Sequence, residues 1–464
     1  MTGAAATPSQ QIAAAASPVD QRLYASPVIT WLVTHLTSIA VTVLTLVFAA
    51  SILSQRRATG SAVAWLLAVV MIPYIGIPLY LVLGGRKFRR AFARKKPLVR
   101  HVRTVASSAP PTLEWLDDGI HAYEAFLREI KAAKRGIRIE MYLIGNDQVG
   151  VSLLNALAER ARAGVEVHLL IDDLLTASTP RGPVRALTEA GGHVTRFMPL
   201  LHVPFRGRTN LRLHRKIAVF DGERAIVGGM NLAEEYMGPT KLADRWRDLS
   251  LVIDGGAVTA LDAIFCADWE FATKTALLPF MPDAPGPPTD IDVIPSGPDS
   301  PSDAIYDQIL TMVFRAERRL WVATPYYVPD DPLARALEIA AHRGVDVRVV
   351  VPAKSNHRIA DLVAGPLLRE LELGGGRVYR YTPGMLHAKV VLADDRAIVG
   401  SANFDMRSMF LDYEVAMAFC GSREVDRVAQ WFEATFVDTM VGARRSSWFR
   451  ARVEATARLV APLV

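Results

Sequence analysis

The chain has 464 residues, of which 51% are hydrophobic and 22% are charged, and it carries a formal net charge of +6. This length allows about three domain-sized units, and the high apolar content excludes a largely disordered protein. The two cysteines, Cys266 and Cys420, lack the spacing of metal ligands and imply no disulfide framework, so they do not require an oxidising compartment.

Two long apolar segments lie near the N-terminus, at residues 28–53 and 62–83, and neither contains Asp, Glu, Lys or Arg. Each exceeds the roughly 20 residues that cross a hydrocarbon core. A signal peptide is the alternative for the first segment, but its apolar region is usually only about 7–15 residues long. We therefore predict a transmembrane hairpin over residues 28–85, after a flexible tail at 1–27.

Two prolines, Pro73 and Pro78, interrupt the second apolar segment. Proline removes a backbone donor and bends or breaks a helix, so this segment is either a kinked span or a re-entrant one. The sequence leaves open whether it crosses the membrane fully.

A basic juxtamembrane segment, residues 86–104, follows the hairpin, and eight of the residues from 86 to 100 are Lys or Arg. The positive-inside rule places this segment in the cytoplasm, against the weaker opposing signal of Arg56 and Arg57 in the connecting loop. The same charges would attract anionic lipid headgroups, at about 1 kcal/mol each.

The rest of the chain contains an internal repeat. Stretches that begin at Arg138 and Leu320 each predict a strand, a helix and a second strand. The pentapeptide Arg-Ala-Ile-Val-Gly then occurs at residues 224–228 and again at 396–400. Similar units in the same order indicate a duplicated α/β domain.

The repeat predicts two α/β lobes related by a pseudo-twofold axis, each a mostly parallel or mixed sheet flanked by helices. We place the lobes at residues 105–280 and 302–464, joined by a linker at 281–301 that is rich in Pro, Gly, Ser and Asp.

From Ala443 onward, Arg alternates with Trp, Phe, Leu and Val. This end of the chain fits an interfacial amphipathic helix or, as an alternative, a helix packed on the second lobe.

Each copy of the repeat carries the same polar residues in the same order. They are His214, Lys216, Asp221 and Asn231 in the first copy, and His387, Lys389, Asp394 and Asn403 in the second. Because alternate residues of a strand face the same side, each His-x-Lys pair presents an imidazole and an ammonium group together. A single such pair is usually a surface feature, and only its duplication in register points to catalysis.

Two imidazoles, two ammonium groups and two amides that converge across a pseudo-twofold axis form an anion site suited to phosphate. One neutral histidine can attack phosphorus while the other, protonated, donates to the leaving oxygen. The lysines and asparagines would stabilise the charge on the equatorial oxygens. The near symmetry of the site does not distinguish the two histidines.

Two acidic residues, Asp248 and Glu414, hold matching places after the two motifs, each at the start of a predicted strand. A carboxylate that accepts from the far imidazole nitrogen would select the tautomer and orient the ring. We predict this histidine-orienting role for both, and the alternative is a surface acid at a strand edge.

The duplicated His-x-Lys motif, with Asp five residues after the Lys and a later Gly-rich turn and Asn, resembles the phospholipase D, or HKD, superfamily. Several flanking segments resemble the bacterial cardiolipin synthases within it. These are Pro73-Tyr74-Ile75-Gly76, Arg212-Leu213-His214-Arg215-Lys216, Ser296-Gly297-Pro298, Thr324-Pro325-Tyr326-Tyr327 and Asn403-Phe404-Asp405-Met406-Arg407-Ser408. The resemblance covers nearly the whole chain after residue 28.

The resemblance implies an enzyme that needs no metal or cofactor and moves a phosphatidyl group from one phosphatidylglycerol to another through a phosphohistidine. It implies a multi-pass protein of the bacterial inner membrane with cytoplasmic catalytic lobes and no nucleic-acid partner. It also makes His214 the nucleophile and His387 the acid/base. The resemblance also assigns Asp221 and Asp394 to the catalytic signature. We expect each of them to have a supporting role in a turn. The second turn is one residue shorter, so Asp394 and Asp395 both remain candidates for the matching acid.

Other functions stay open at this stage. A phospholipid hydrolase, or a phosphatidyltransferase with another acceptor, would use the same residues, because the choice of acceptor depends on the shape of the pocket and the exclusion of water. A nuclease has no need of membrane spans, and the basic segment lacks the interleaved aromatic residues that stack bases. A non-catalytic protein that binds anionic lipid is a remote alternative, since both motifs are intact. The oligomeric state is not predicted.

Overall fold

The computed structural model describes residues 27–54, 59–83, 112–199, 211–280, 291–300 and 302–458, and the chain divides into two compact units at Gly84. Several predicted features lie outside the described residues: the tail up to residue 26, Arg56 and Arg57, the basic segment, and linker residues 281–290. The two units are described separately.

The first unit consists of apolar helices. These are α1 (Pro27–Leu53), α2 (Thr59–Met71) and α3 (Pro73–Leu83). Within α1, the 26 residues Val28–Leu53 are long and apolar enough to cross a membrane. Near its C-terminal end α1 packs against the other two helices, around Ile52, Val69 and Tyr80.

The second apolar segment is broken rather than continuous, because Pro73 begins a new helix directly after Ile72. Gly76 lies so close to Ala68 that a Cβ atom would come within 2.1 Å of its carbonyl oxygen, which shows that α3 folds back against α2. At about 1.5 Å per residue, neither helix alone reaches across a core roughly 30 Å thick. Among the described residues, α1 is therefore the single helix of spanning length, and the predicted second span is replaced by two short helices.

The second unit contains both lobes. The first lobe has a seven-stranded mixed sheet in the order β1-β7-β6-β5-β2-β3-β4, in which β2, β3 and β4 run parallel. Its strands are β1 (Leu113–Leu116), β2 (Gly136–Met141), β3 (Glu166–Asp172), β4 (His193–Phe197), β5 (Ile217–Phe220), β6 (Arg224–Gly228) and β7 (Ser250–Asp254). Its helices are α4 (Gly119–Ala132), α5 (Gln148–Arg162), α6 (Arg181–Glu189) and α7 (Gly256–Thr273).

The second lobe repeats this arrangement in an eight-stranded sheet, in the order β17-β12-β11-β9-β13-β14-β16-β8. Its strands are β8 (Ile291–Ser296), β9 (Arg319–Ala323), β10 (Tyr327–Val328), β11 (Asp346–Pro352), β12 (Arg377–Tyr381), β13 (Val390–Ala393), β14 (Arg396–Gly400), β15 (Phe404–Asp405), β16 (Glu414–Phe419) and β17 (Thr439–Val441), of which β10 and β15 form a separate pair. Its helices are α8 (Ala304–Arg315), α9 (Asp331–His342), α10 (Arg358–Leu373), α11 (Met406–Phe410), α12 (Ser422–Val437) and α13 (Trp448–Ala457). The predicted α/β class and the duplication are confirmed.

Strand β8 lies inside the predicted linker, whose boundary was therefore wrong. The alternating residues Ile291 and Val293 are buried, and β8 pairs with β16 at the edge of the sheet. An edge strand tolerates Pro295, because one side of its backbone needs no partner. Within the described residues 291–300, Pro295 and Gly297 therefore belong to an edge strand and its turn rather than to a free connection.

The two sheets pack on each other through one shared core. Along β5, Ile217 and Val219 face this core, whereas Ala218 and Phe220 face the helices of the first lobe. In the second lobe, Val390 of β13 faces the same shared core. Strands buried on both faces have continuous apolar sequences, as β5 does. The shared core holds the two lobes against each other next to both motifs.

Candidate active site

Both His-x-Lys motifs lie at the boundary between the lobes, just before β5 and β13 rather than on strands of their own sheets. The backbone of each motif pairs instead with the opposite lobe. His214 N donates to Tyr413 O at 2.9 Å, and His387 N donates to Arg247 O at 2.8 Å. The two contacts are related by the pseudo-twofold axis, so the docking of the lobes assembles the site.

Each histidine bonds to a carboxylate of the other lobe. His214 Nδ1 lies 2.8 Å from Glu414 Oε1, and His387 Nδ1 lies 2.6 Å from Asp248 Oδ2. Both acids are 0% exposed. A carboxylate at Nδ1 holds the proton there in the neutral ring and leaves the lone pair on Nε2. This geometry agrees with the predicted orienting role, with the two pairs crossed between lobes.

The lysines lie beside their histidines. Lys216 Nζ donates to His214 O at 2.7 Å. Lys389 Nζ lies 2.6 Å from His387 Nδ1 and 3.1 Å from Nε2, and it also donates to the His387 carbonyl oxygen. Both ammonium groups are buried. A buried cation calls for an anionic partner, and a phosphate group between the lysines would supply one.

The two asparagines are also buried in the second unit, and neither Oδ1 atom of Asn231 and Asn403 has a hydrogen-bond partner among the described groups. Buried polar atoms are normally satisfied, so each of these oxygens can accept a hydrogen bond from a further donor. Both residues directly follow the Gly-rich corners at the ends of β6 and β14.

Burial sets the electrostatics of the site. It lowers the pKa of Lys216 to about 7. The Glu414 carboxylate acts to raise this pKa, and the Lys389 ammonium group acts to lower it. Burial likewise lowers the pKa of Lys389 to about 8. Because Lys389 acts on Lys216 across the lobes, the two halves form one electrostatic site. Burial also holds the pKa of His214 well below its usual range and lowers that of His387 to about 3, which favours a neutral ring at both positions before substrate binds.

The two orienting carboxylates differ. Burial raises the pKa of Glu414, against the opposing effect of Lys216. Burial would also raise the pKa of Asp248, but Lys389 and His387 together hold it below its usual value. The site is therefore symmetric in its hydrogen bonds and asymmetric in its charge.

The signature aspartates Asp221 and Asp394 lie at the opposite ends of β5 and β13 from the motif lysines. The Asp221 carboxylate accepts from the backbone N–H groups of residues 134–136 at 2.7–2.9 Å. The Asp394 carboxylate accepts from those of residues 317–319 at 2.7–3.0 Å. Both residues have positive φ, 56° and 48°, in the turn that follows their strand. Asp394, rather than Asp395, is thus the structural counterpart of Asp221, and both stabilise turns.

Sequence reasoning missed the aromatic and charged residues that pack around the histidines. Tyr142 lies edge-on to His214, with ring centroids 4.8 Å apart, and Tyr236 lies edge-on to His387 at 5.0 Å. Trp246 packs on His387 at 5.4 Å, whereas the matching place in the second lobe is Asp412. Trp246 and Asp412 each stand two residues before an orienting carboxylate, so extending the repeat alignment could have found them.

Arg215, the middle residue of the first motif, was also missed. It is 0% exposed and ion-paired with Asp268, and its Nε donates to Glu414 O at 3.0 Å. The second motif has Ala388 at this position. Arg215 therefore joins helix α7 of the first lobe to the strand that carries Glu414.

No group of three His, Cys, Asp or Glu side chains in the described part of the chain has the arrangement of a metal site. The charged groups available to a phosphate here are the two lysines and the histidines. The two cysteine side chains also lie apart, since Cys266 is buried in the first lobe and Cys420 is exposed in the second.

Two lobes that each place a buried histidine and lysine at their shared boundary fit an enzyme of the phospholipase D type. A family model described as "Cardiolipin synthase, PLD-like domain" matches residues 126–269 and 309–436, and one described as "Phospholipase_D-nuclease N-terminal" matches residues 43–85. The chain belongs to the cardiolipin synthase family of the phospholipase D superfamily, and it is a phosphatidyltransferase.

Named relatives agree with this assignment. The chain is 32% identical to cardiolipin synthase A of Pseudomonas aeruginosa, over 89% of this chain and 92% of that protein. It is 31% identical to cardiolipin synthase of Geobacillus kaustophilus, over 90% and 92% of the two chains. Among solved structures, phosphatidylserine synthase of Haemophilus influenzae shares the fold, with a TM-score of 0.60 and 14% identity over 81% of this chain and 99% of that one.

Proposed function

We propose that the protein synthesises cardiolipin by transferring a phosphatidyl group from one phosphatidylglycerol to the headgroup of a second, with release of glycerol. The crossed bonding of each histidine to a carboxylate of the other lobe carries this proposal. It supplies two buried imidazoles with their Nε2 lone pairs available beside two ammonium groups, which is what a double displacement at phosphorus requires.

In the first step, Nε2 of one histidine attacks phosphorus and a nitrogen–phosphorus bond forms. The bond from phosphorus to the glycerol oxygen breaks, and the other histidine, protonated at Nε2, gives its proton to the departing glycerol. By the family resemblance, His214 is the nucleophile and His387 is the acid. Lys216 and Lys389 stabilise the charge on the equatorial oxygens throughout.

In the second step, a hydroxyl group of the second phosphatidylglycerol attacks the phosphohistidine. An oxygen–phosphorus bond forms, the nitrogen–phosphorus bond breaks, and the hydroxyl proton returns to His387. Phosphodiesters are exchanged for phosphodiesters, so the reaction needs no external energy source. Asp248 stabilises the imidazolium form of His387 in the intervals when that ring holds two protons.

We propose further that the protein is anchored in the bacterial inner membrane through α1, with its lobes in the cytoplasm. The support is the charge pattern of the sequence, in which the basic segment follows the second apolar run. The spanning helix α1 and the membrane-resident substrates favour the same location.

The deciding experiment gives the purified full-length protein vesicles of phosphatidylglycerol labelled in the headgroup glycerol. Cardiolipin together with labelled free glycerol is the expected result. Phosphatidic acid as the sole lipid product would instead identify a hydrolase. His214→Ala and His387→Ala should each abolish turnover, whereas His342→Ala, at an exposed helix end, should leave it unchanged.

A further inference from the structure

Helix α13 is held on the second lobe by ion pairs, that of Arg458 with Glu370 at its C-terminal end and those of the buried Glu454. Glu454 is 0% exposed and accepts hydrogen bonds from Arg369 Nη2 at 2.6 Å and from Arg450 Nε at 2.7 Å. It lies against Gly365 of α10, where a Cβ atom would come within 3.0 Å of Glu454 Oε1. Within the described chain, α13 adds no side chain to the hydrophobic core clusters. Ion pairs, rather than an apolar face, therefore hold this helix.

The apolar side chains of α13 face away from the lobe. Trp448 and Phe449 are each 72% exposed, and Val453 is 37% exposed. At about 100° per residue these three fall on one side of the helix, while Arg450 and Glu454 fall on the other. A surface helix normally buries its apolar side and exposes its charges, so α13 has the reverse arrangement.

The segment that carries this face is rich in arginine, one of which, Arg458, pairs with Glu370. Residues 443–458 contain five arginines and one acid, Glu454, which is neutralised by its two arginine partners. The Arg452 guanidinium lies 4.6 Å from the centroid of the exposed Trp448 ring. Exposed tryptophan next to arginine is the combination that suits the headgroup layer of a membrane, where the ring contacts acyl chains and the cation contacts phosphate.

We propose that α13 binds the surface of an anionic bilayer through its exposed aromatic face and its arginines. The partner must be both anionic and apolar at its boundary, and a lipid surface is both. A bilayer is also within reach of this chain, because α1 is long enough to span one. A second copy of this segment is a poor occupant, since the arginines of residues 443–458 in the two copies would repel one another.

This binding does not depend on the reaction, so it extends beyond the proposed function. It would add a second membrane contact to the N-terminal helix and hold the catalytic unit against the layer that contains its substrates. Burying the aromatic side chains and pairing the arginines with lipid phosphates both favour it, at about 1 kcal/mol for each charge near the surface.

The test uses the full-length protein in nanodiscs that contain or lack phosphatidylglycerol, with Cys420→Ser and with Val453→Cys carrying an environment-sensitive fluorophore. Buried Cys266 stays in place. We expect a blue-shifted emission that strengthens at least about twofold with phosphatidylglycerol, and that is lost with Trp448→Ser and Phe449→Ser together. The same fluorophore at Leu278→Cys, 81% exposed in the first lobe, is the matched control and should not respond.

Three outcomes would overturn the proposal: no response to lipid, an equal response without phosphatidylglycerol, or a response that follows protein concentration rather than lipid charge. The last would identify contact between copies of the chain. Repeating the measurement in inactive His214→Ala separates this proposal from the enzymatic one, because lipid binding should persist there.

In the active protein, Arg444→Gln with Arg445→Gln should raise the KM for phosphatidylglycerol at least about threefold and leave kcat unchanged.

Discussion

Each active-site imidazole has one carboxylate beside its Nδ1 atom. Asp248 lies against Nδ1 of His387 and Glu414 against Nδ1 of His214, with both acids fully buried. Aromatic rings close the space around each pair, so the imidazoles have little freedom to turn. The reactive Nε2 atoms are therefore defined by partners that never touch the substrate.

Replacing an orienting acid by its amide tests this dependence. Asp248→Asn can present an N–H group to Nδ1 and place the proton on the wrong nitrogen, so kcat should fall by roughly 10²–10⁴-fold with little change in KM. Steady-state kinetics on vesicles give both constants. The exposed Asp292→Asn serves as the control and should behave as the unmodified protein. A KM effect alone would assign Asp248 to substrate binding instead.

The lysines predict a pH dependence. Because burial lowers the pKa of Lys216 to about 7 and of Lys389 to about 8, both lose their protons as the pH rises through that range. The uncharged amines bind phosphate weakly, so kcat/KM for phosphatidylglycerol should fall at least about threefold between about pH 7 and pH 9. Initial rates on vesicles across this range provide the measurement. A kcat/KM that stays level or rises would contradict it.

At the scale of elements, two hairpins hold the motifs in place from their far ends. The β5–β6 and β13–β14 pairs each begin their turn with an aspartate of positive φ that accepts three backbone hydrogen bonds. These bonds tie the turn to the chain just before β2 or β9. The signature aspartate therefore anchors the strand that carries the lysine at its other end.

Loss of this anchor should affect stability rather than chemistry. Asp394→Ala removes three acceptors and puts alanine at positive φ, so the free energy of unfolding should drop by about 1–3 kcal/mol. The neighbouring Asp395→Ala, at an exposed position, is the matched control and should change little. Thermal unfolding in detergent and kcat per folded molecule are measured together. Lost activity at an unchanged melting temperature would restore a catalytic role for Asp394.

At the scale of the molecule, the lobes form one structure because they share a core and exchange polar contacts. Arg215 is the most deeply buried of these contacts: it pairs with Asp268 of its own lobe and donates to Glu414 O and Ser296 O of the other. A fully buried cation that joins an acid and two carbonyls is sensitive to the loss of any member.

Arg215→Met should lower the free energy of unfolding by about 3–5 kcal/mol, because it leaves buried Asp268 without its partner. Adding Asp268→Asn should recover part of this loss. Removal of the exposed pair by Arg335→Ala is the control and should change stability by less than about 1 kcal/mol. Chemical denaturation of the full-length chain gives the comparison, and equal effects at Arg215 and Arg335 would refute the buried network.

The sequence by itself determined the spanning helix, the duplicated α/β lobes and the residues of both motifs, because these depend on local composition, periodicity and order along the chain. The tertiary structure alone decided which acid serves which histidine, since those partners lie 139 and 200 positions apart and meet only when the lobes pack. It also decided that Asp394 matches Asp221, that β8 closes the second sheet, and that the second apolar run folds back at Pro73. Each of these is set by contacts between distant segments, and no local pattern in the chain encodes such contacts.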